Sequence, residues 1–436
     1  MPVPSGSPSS PVAGLEVRPF RALTYRRRDP QHLARVSSPA YDLVTPAGRD
    51  RLEDADPHNI VRLILPHVEP GPGTGEPAAG SAEQAARTLA RWQADGVLVR
   101  DEELALWLYE LTPPDGQPPT VGWLGAVGIP PAGSGAVLPH EDTYPAAVEG
   151  RRALLAATAT DLEPIVLAHD PEPEVAALTR TALTANPTLE LTDTEGVRHR
   201  LWRVTDRAML EGLTTALART GAVIADGHHR FAAARANATA QGGSPGSDAV
   251  LALVTPMGPG GLRVDAIHRV LPDLRLDDAT AAAARGFGLD EIAVAGDAPD
   301  AVLAPARRWL EGEGGTGFLF TDGRRLVRLS RPSAAVLAAI PRAPSAWRSL
   351  DVVLAHHGLF AHLLHRGDDP SSVVVAHSLD EAVRTAAGRS GVALLLRPAS
   401  PVAVATVARS GARMPRKSTL FVPKPRTGLV LRPLAD

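Results

Sequence analysis

The 436-residue sequence contains no cysteine. This absence excludes disulfide bonds, thiolate catalysis and cysteine-based zinc sites together. No apolar run approaches the ~20 residues that a membrane-spanning helix needs. The Pro/Ser-rich N-terminus also lacks the apolar stretch of a secretory signal peptide. We therefore expect a cytoplasmic protein that has no membrane partner.

Basic residues are slightly outnumbered, and lysine is nearly missing. The formal net charge of −3 disfavours nucleic acid as a general partner. Of the 45 basic residues, only Lys417 and Lys424 are lysines. A compact ammonium and a planar guanidinium are not interchangeable, so these two lysines mark positions where arginine does not serve. Survival of two lysines by chance is the alternative.

The periodicity predicts an α+β (mixed α/β) fold with several domains. A disordered leader is expected at residues 1–15, followed by an N-terminal α/β domain at 16–125. A core at 126–272 would carry an insertion at 171–218, and a C-terminal α/β domain would occupy 273–436. Residues 59–65 are predicted to form a strand, and a helix should begin at Ser81. Whether copies of the chain associate into a homo-oligomer is left open.

The most informative segment is VIADGHHRFAAARA, at residues 223–236. A short apolar strand should end at Asp226, and an alanine-rich helix should follow the turn at Gly227. Backbone N–H groups and the positive end of that helix favour phosphate, to which Arg230 would add a bidentate guanidinium. His228 and His229 could donate hydrogen bonds to phosphate. Asp226 is better suited to hold Mg²⁺ or to accept a proton.

Two other interpretations of this segment stay open. Asp226, His228 and His229 could form a metal site, but adjacent histidines point in different directions and seldom bind one ion together. The sequence has no HExxH or Cys/His framework that would support zinc. Alternatively, the segment is a turn with structural histidines. We favour phosphate binding.

A second polar cluster is PHEDTYP, at residues 139–145. Its three consecutive polar residues are His140, Glu141 and Asp142. Thr143 and a predicted helix follow, and Pro145 is suited to the first turn of that helix. Taken alone, the cluster resembles an ordinary helix start with acids that favour the dipole. Beside a phosphate site, however, a carboxylate could deprotonate an attacking hydroxyl.

A third cluster is the basic segment at residues 413–431, which lies in an acid-free stretch from 382 to 435. Its apolar residues and prolines indicate a segment that is docked on the protein, where it would bring cations to a phosphate-rich pocket. The candidate phosphate ligands here are Arg416, Lys417, Ser418, Thr419 and Lys424.

Three polar pairs are weaker candidates for substrate binding. They are Tyr41–Asp42, His268–Arg269 and His356–His357, and each lies near the end of a predicted strand or helix. For all three pairs we favour a structural role.

Several motifs occur in the order typical of one bacterial family. These are SSPAYDLVTP, NIVRLILP, LPHEDT, IADGHHRFAAA, AIHRVL and MPRKSTLFVPKPRTG. Together they resemble the family catalogued as domain of unknown function 1015, over residues 17–431. Ala40, Leu43 and Val422 depart from the family's usual residues, although none of these changes removes a chemical group of interest.

The central region also resembles the free serine kinases of the ParB/sulfiredoxin-like superfamily. The shared features are Pro139–His140–Glu141, Pro164–Ile165 and the DGHHR run. The resemblance implies a nucleotide-dependent kinase in which Glu141 is the general base and Asp226 is a catalytic or Mg²⁺-binding acid. It also implies that the rest of the DGHHR run, Gly227, His228, His229 and Arg230, cradles the phosphates, with His229 counted among the catalytic residues.

The leading hypothesis is therefore phosphate transfer from ATP or ADP, with Mg²⁺, to free serine or a similar small hydroxyl compound. The partners would be this small-molecule substrate and the nucleotide. A ParB-like switch that binds and hydrolyses a nucleotide is a second hypothesis, and it would not need Glu141. A metal-dependent hydrolase that uses the same His/Asp cluster is a third.

Overall fold

The computed structural model describes residues 14–66, 80–131, 133–258, 260–296, 299–312, 315–367, 372–415 and 417–435. The chain forms two compact units. The first contains the chain up to Leu262 and the segment from Pro423 onward, and the second is Arg263–Val422. Among the described residues, no helix is both long enough and apolar enough to cross a membrane. The fold is mixed α/β, as the sequence predicts.

The first unit is built on a mixed sheet whose described strands run in the order β6-β11-β8-β12-β5-β4-β10-β9, with β1 paired to β5. The β11–β6 and β12–β8 pairs are parallel, while the other pairs in this sheet are antiparallel. The strands of the unit up to residue 262, of which β2, β3 and β7 lie outside this sheet, are β1 (Val17–Arg18), β2 (Leu23–Tyr25), β3 (Leu98–Arg100), β4 (Leu106–Thr112), β5 (Thr120–Gly128), β6 (Val137–Leu138), β7 (Thr160–Asp161), β8 (Ile165–His169), β9 (Leu189–Thr192), β10 (Arg198–Val204), β11 (Ala222–Asp226) and β12 (Ala249–Pro256).

Helices complete this unit, and several of them begin at a capping side chain or a proline. Thr45 accepts a hydrogen bond from Gly48 N at the start of α2, and Pro145 occupies the first turn of α5. The helices are α1 (Pro30–Val36), α2 (Pro46–Ala55), α3 (Val61–Ile64), α4 (Ser81–Ala94), α5 (Pro145–Thr158), α6 (Pro173–Ala182), α7 (Arg207–Leu217) and α8 (His228–Ala240), with a 3₁₀ turn at Tyr41–Leu43. The core includes Trp123, Ile165, Ile224 and Phe231.

The second unit has a six-stranded antiparallel sheet in the order β15-β17-β16-β19-β14-β18. The strands of the whole unit, which include β13 and β20 outside this sheet, are β13 (Arg263–Asp265), β14 (His268–Leu271), β15 (Gly288–Ile292), β16 (Gly317–Thr321), β17 (Leu326–Ser330), β18 (Val374–Ala376), β19 (Val392–Leu395) and β20 (Leu420–Val422). Its helices are α9 (Leu276–Ala283), α10 (Leu303–Glu311), α11 (Ala334–Ala339), α12 (Ser345–Arg348), α13 (Asp351–Val353), α14 (Leu379–Gly388) and α15 (Pro401–Arg409), with a π-helix at Leu354–Leu363 and a 3₁₀ turn at Pro299–Val302.

The C-terminal segment belongs to the first unit. Its strand β21 (Arg432–Pro433) pairs with β7, and Leu431 bridges to Leu23. Arg432 Nη1 lies 2.5 Å from the buried Asp161 carboxylate. The basic segment predicted at 413–431 is therefore divided between the two units at residues 422 and 423.

The predicted strand at residues 59–65 is wrong, because this stretch contains the short helix α3. Asn59 Oδ1 accepts a hydrogen bond from Val61 N at 2.9 Å, and Asn59 Nδ2 donates to Arg35 O. Such side-chain bonds stabilise a turn. A short apolar run does not by itself distinguish a strand from a buried helix.

The predicted domain boundaries differ from the observed units. The boundary at 125/126 falls inside β5, a central strand of the first sheet. In the predicted insertion, β10 pairs along the full length of β4 and thereby extends this sheet. Residues 1–13 of the predicted leader lie outside the described part of the chain. Leu15 is buried, and its N–H donates to Thr220 O.

Candidate functional site

The turn between β11 and α8 requires a glycine. Gly227 has a φ of 90°, in the left-handed region that side chains rarely adopt. A Cβ at this position would lie 2.8 Å from Cγ2 and 3.0 Å from Cβ of Ile165. The glycine therefore allows α8 to begin directly against β8. Because glycine has no side chain, the N-cap position of α8 supplies no capping side chain of its own.

His228 connects the start of α8 to the loop at residues 139–144. His140 N donates to His228 Nε2 at 3.3 Å, and the two rings meet edge to face with centroids 4.5 Å apart. His140 Nδ1 lies 2.7 Å from Ile224 O. A carbonyl only accepts, so we assign the His140 proton to Nδ1. These contacts fix the position of a buried His140 beside the end of β11.

His229 makes a second connection to the same loop. Tyr144 N donates to His229 Nε2 at 3.1 Å, and the two rings stack with an interplanar angle of 12°. Glu141, in the same loop, has a partly exposed side chain, and its Oε1 lies 3.9 Å from His140 Nε2. Thr143 is exposed. The structure thus brings together the two polar clusters that the sequence analysis selected.

Asp226 binds two cations. Its Oδ1 lies 2.8 Å from Lys424 Nζ, and its Oδ2 accepts from Arg230 Nη2 at 2.5 Å. Burial alone would raise the Asp226 pKa, but Arg230 and Lys424 outweigh burial and hold the pKa below its ordinary value. Lys424 also binds Asp42, and these two carboxylates raise the Lys424 pKa despite its burial.

The Arg230 guanidinium is largely buried and is bound by the protein. Besides Asp226, it donates to Pro164 O at 2.5 Å. It also lies over the Tyr41 ring, with Cζ 5.6 Å from the centroid. In this arrangement Arg230 holds Asp226 in place, whereas the sequence predicts an Arg230 guanidinium that faces a phosphate. The difference arises because Pro164 O and Asp226 Oδ2 already accept from Nη1 and Nη2 of this guanidinium.

Magnesium does not fit the side chains found here. Both Asp226 oxygens already bind a cation, and a third positive charge beside them would be repelled. Within the described residues, no group of three His, Asp or Glu side chains is arranged to hold a metal. The structure therefore pairs the Asp226 carboxylate with Lys424 and Arg230 and does not leave it available as a Mg²⁺ ligand.

Three residues that were not predicted as site residues support this site, namely Tyr144, Arg151 and Glu163. Arg151 Cζ lies 3.7 Å from the centroid of the Tyr41 ring. Glu163 Oε1 accepts from Tyr41 N and from Thr427 Oγ1, both at 3.0 Å. Arg151 and Glu163 also line a cavity of about 40 Å³ with Arg230. Tyr144 lies in a quoted motif, but no sequence signal distinguishes Arg151 or Glu163 from other charged residues.

The remaining candidates belong to the second unit. His268 Nδ1 accepts from Leu396 N at 3.2 Å, and the buried Arg269 donates to Lys417 O at 2.9 Å. Ser418 Oγ donates to Pro415 O at 2.6 Å. These contacts hold the three side chains against other residues of the second unit. Thr419 follows on the same segment, and Arg416 lies outside the described residues.

Solved structures resemble the chain only weakly. SbnI with a C-terminal truncation, from Staphylococcus aureus, shares 12% identity over 72% of this chain and 88% of its own, with a TM-score of 0.36. A conserved hypothetical protein from Pyrococcus furiosus shares 12% identity over 66% and 87%, with a TM-score of 0.31. A free serine kinase in complex with AMP shares 12% identity over 66% and 84%, with a TM-score of 0.30. Likenesses this weak carry no function across.

A comparison at the level of families is more decisive. None of the curated proteins matches the chain. A family model described as "Protein of unknown function (DUF1015)" matches residues 17–353, which is most of the sequence. The order of motifs in the sequence resembles the same family. The chain therefore belongs to the DUF1015 family.

Proposed function

We propose that this protein is a small-molecule kinase that transfers phosphate from ATP or ADP to the hydroxyl of free serine or a similar compound. One observation carries the proposal. His228 and His229 bind the loop at residues 139–144 to the start of α8. These contacts join the loop that carries Glu141, a partly exposed carboxylate, to the N-terminus of a helix whose N-cap residue is a glycine.

The start of α8 would bind the nucleotide phosphates. Gly227 lets the chain turn tightly, and as the N-cap residue of this 13-residue helix it places no side chain over the helix N-terminus. Those N–H groups and the helix dipole together favour an anion. Phosphoryl transfer requires little of a protein beyond positioned phosphates and electrostatic stabilisation, so such a site suits the reaction.

Glu141 would act as the general base. It would accept the proton of the attacking hydroxyl while that oxygen bonds to the terminal phosphorus of the nucleotide. The bond from this phosphorus to the bridging oxygen breaks in the same step, which releases ADP from ATP or AMP from ADP. The contacts of the neighbouring His140 with Ile224 O and His228 fix the backbone that carries Glu141. The motif resemblance to free serine kinases points to the same role, and it is the reason for naming serine as the acceptor class.

Asp226 would act as a positioning residue. Lys424 and Arg230 bind its carboxylate, which fixes the end of β11 and the turn before α8. We assign no magnesium ligand to the protein. Among the described basic candidates of the C-terminal segment, Lys424 supports this role because its Nζ contacts Asp226 of the DGHHR run.

The proposal is tested with the full-length protein. It is incubated in magnesium buffer with ATP, and separately with ADP, and with pooled free amino acids and small alcohols. Mass spectrometry then looks for an acceptor that gains one phosphate. We expect Glu141→Gln to abolish this product. Glu149→Gln should not, because Glu149 is exposed on α5 and pairs with Arg152.

A different result would contradict the proposal. If the protein binds nucleotide, phosphorylates no acceptor and behaves the same as Glu141→Gln, the nucleotide-binding switch is the better description. If neither ATP nor ADP binds, both nucleotide hypotheses are wrong.

A further inference from the structure

The second unit contains a cavity of about 470 Å³ between α10 and the hairpin β16–β17. This volume lies in the range of small-molecule sites. Its lining includes Arg308, Arg328, Arg331 and Arg397, and none of its described lining residues is acidic. Four guanidinium groups therefore line one cavity.

One of the four arginines forms the wall of the cavity. Arg397 donates through Nε and Nη2 to Trp309 O and through Nη1 to Gly315 O. Its Cζ also lies 3.7 Å from the centroid of the Trp309 ring. Because its donors are used in this way, Arg397 fixes Trp309 and contributes charge to the cavity.

The other arginines have donors to spare. The Arg308 side chain is exposed and, within the described residues, has no hydrogen bond or ion pair. Arg331 is 70% exposed, and its nearest carboxylate oxygen is Asp290 Oδ2 at 3.8 Å. Arg328 binds the same Asp290 oxygen at 2.7 Å through Nη2, while its Nε is buried without a hydrogen-bond partner. One carboxylate thus faces two of the arginines, which leaves an excess of positive charge.

Two further features are unusual for an ordinary surface. Ser330 Oγ is buried without a partner in the described structure, and Ser330 lines the cavity. Buried polar groups are normally satisfied, so such an atom calls for an explanation. Arg331, directly after β17, has a φ of 49°, a costly conformation for a residue other than glycine. Strain of this kind concentrates at functional sites.

We propose that this cavity binds a small phosphate-bearing molecule, with Arg308, Arg328 and Arg331 as its ligands. Guanidinium groups match phosphate geometry with paired donors, and the charge-assisted bonds that result are stronger than neutral ones. Ser330 Oγ supplies a further donor. The site lies within the second unit, and it is independent of the function proposed for the first unit.

The test is calorimetric titration of the full-length protein with inorganic pyrophosphate, and in a second arm with glucose 6-phosphate. The variant Arg308→Gln/Arg331→Gln removes two exposed cations without removing a buried group. We expect its pyrophosphate affinity to fall at least about tenfold, since each charged hydrogen bond contributes on the order of one decade of affinity. The second arm distinguishes an inorganic from an organic phosphate as ligand.

A control variant separates this site from general electrostatic attraction. Arg324→Gln/Arg389→Gln removes the same charge from exposed positions of the second unit that do not line the cavity. It should bind as the unmodified protein does. The proposal is overturned if the unmodified protein binds neither ligand at millimolar concentration. It is also overturned if both double variants bind equally, because the anion then lies elsewhere.

Discussion

Lys424 Nζ lies 2.8 Å from Asp226 Oδ1, although the two residues are far apart in the sequence. The same ammonium binds Asp42, so one compact cation joins three segments of the first unit. A lysine ammonium can donate in three directions from a single nitrogen, which a planar guanidinium cannot do. This geometry explains why a lysine suits position 424, whereas the other lysine, Lys417, has an exposed side chain.

Replacing Lys424 should destabilise the first unit. Lys424→Met leaves a largely buried Asp226 with one cation fewer, and loss of one partner of a buried pair costs about 3–5 kcal/mol. Because Asp42 is partly exposed, we expect a loss of about 2–4 kcal/mol in the free energy of unfolding, measured by urea denaturation. Lys417→Met is the control, since the Lys417 side chain is exposed. Equal losses in both variants would contradict the assignment.

The Lys424 contribution should depend on pH in a defined way. The Asp226 pKa is lowered from 3.8, because Arg230 and Lys424 outweigh the effect of burial. The stability that the ionised Asp226 contributes is fully present above pH 3.8 and is lost as the pH falls through the lowered Asp226 pKa. The Lys424 pKa is raised from 10.5, so its contribution is present below pH 10.5 and is lost at higher pH.

The measurement compares the unmodified protein with Lys424→Met across pH. The difference in the free energy of unfolding should be constant between these limits and should shrink below about pH 4 and above about pH 10.5. A difference that changes steadily through neutral pH would mean that another group titrates at this site.

Gly227→Ala should impair both stability and nucleotide binding. Its Cβ would lie 2.8 Å from Ile165 Cγ2, and its φ is 90°. Overpacking and backbone strain each cost about 1–3 kcal/mol. Gly243→Ala is a matched control, because its φ is 74° and nothing lies within 4 Å of its Cβ.

The Gly243 variant should lose only the cost of the backbone conformation, about 1–2 kcal/mol. Thermal unfolding measures both variants, and calorimetric titration with ADP measures binding. If the Gly227→Ala variant binds ADP as tightly as the Gly243→Ala variant does, then α8 does not hold the phosphates.

His268 should make the second unit sensitive to acid. Burial, together with the neighbouring Arg269, lowers its pKa from 6.5 to about 4. A histidine with a lowered pKa contributes stability above pH 6.5 and loses it as the pH falls toward 4. The contribution is about 3 kcal/mol.

His268→Asn retains an acceptor for Leu396 N but cannot titrate. Urea denaturation at pH 7 and at pH 4.5 should therefore show that the stability advantage of the unmodified protein shrinks in acid. Parallel losses in the two proteins would mean that His268 is not held neutral by the fold.

Local features of the fold were predictable from the sequence. The strand that ends at Asp226 and the helix that follows Gly227 were correctly predicted, because an apolar run, a glycine and an alanine-rich stretch succeed one another. The hairpin of β16 and β17 is equally local, since Asp322–Gly323 is typical of a turn between two strands. By contrast, α3 was assigned as a strand, because its apolar run is too short to show a helical period.

Contacts between distant segments were not predictable. Nothing in the periodicity indicates that the chain from Pro423 returns to the first unit, where Thr427 bridges to Ser38. The role of Arg230 was missed for a related reason. The sequence shows a cation beside a phosphate-type turn, but it does not show that Asp226 and Pro164 O bind that cation.

The central claim is that the site formed by the loop at 139–144 and α8 transfers phosphate to a small acceptor. The most direct measurement is the number of acceptor molecules phosphorylated per nucleotide consumed, in the unmodified protein and in Glu141→Gln. We predict one phosphorylated acceptor per nucleotide, no transfer in Glu141→Gln, and intact nucleotide binding in that variant. Nucleotide consumed without acceptor phosphorylation, or transfer that persists in Glu141→Gln, would contradict the claim.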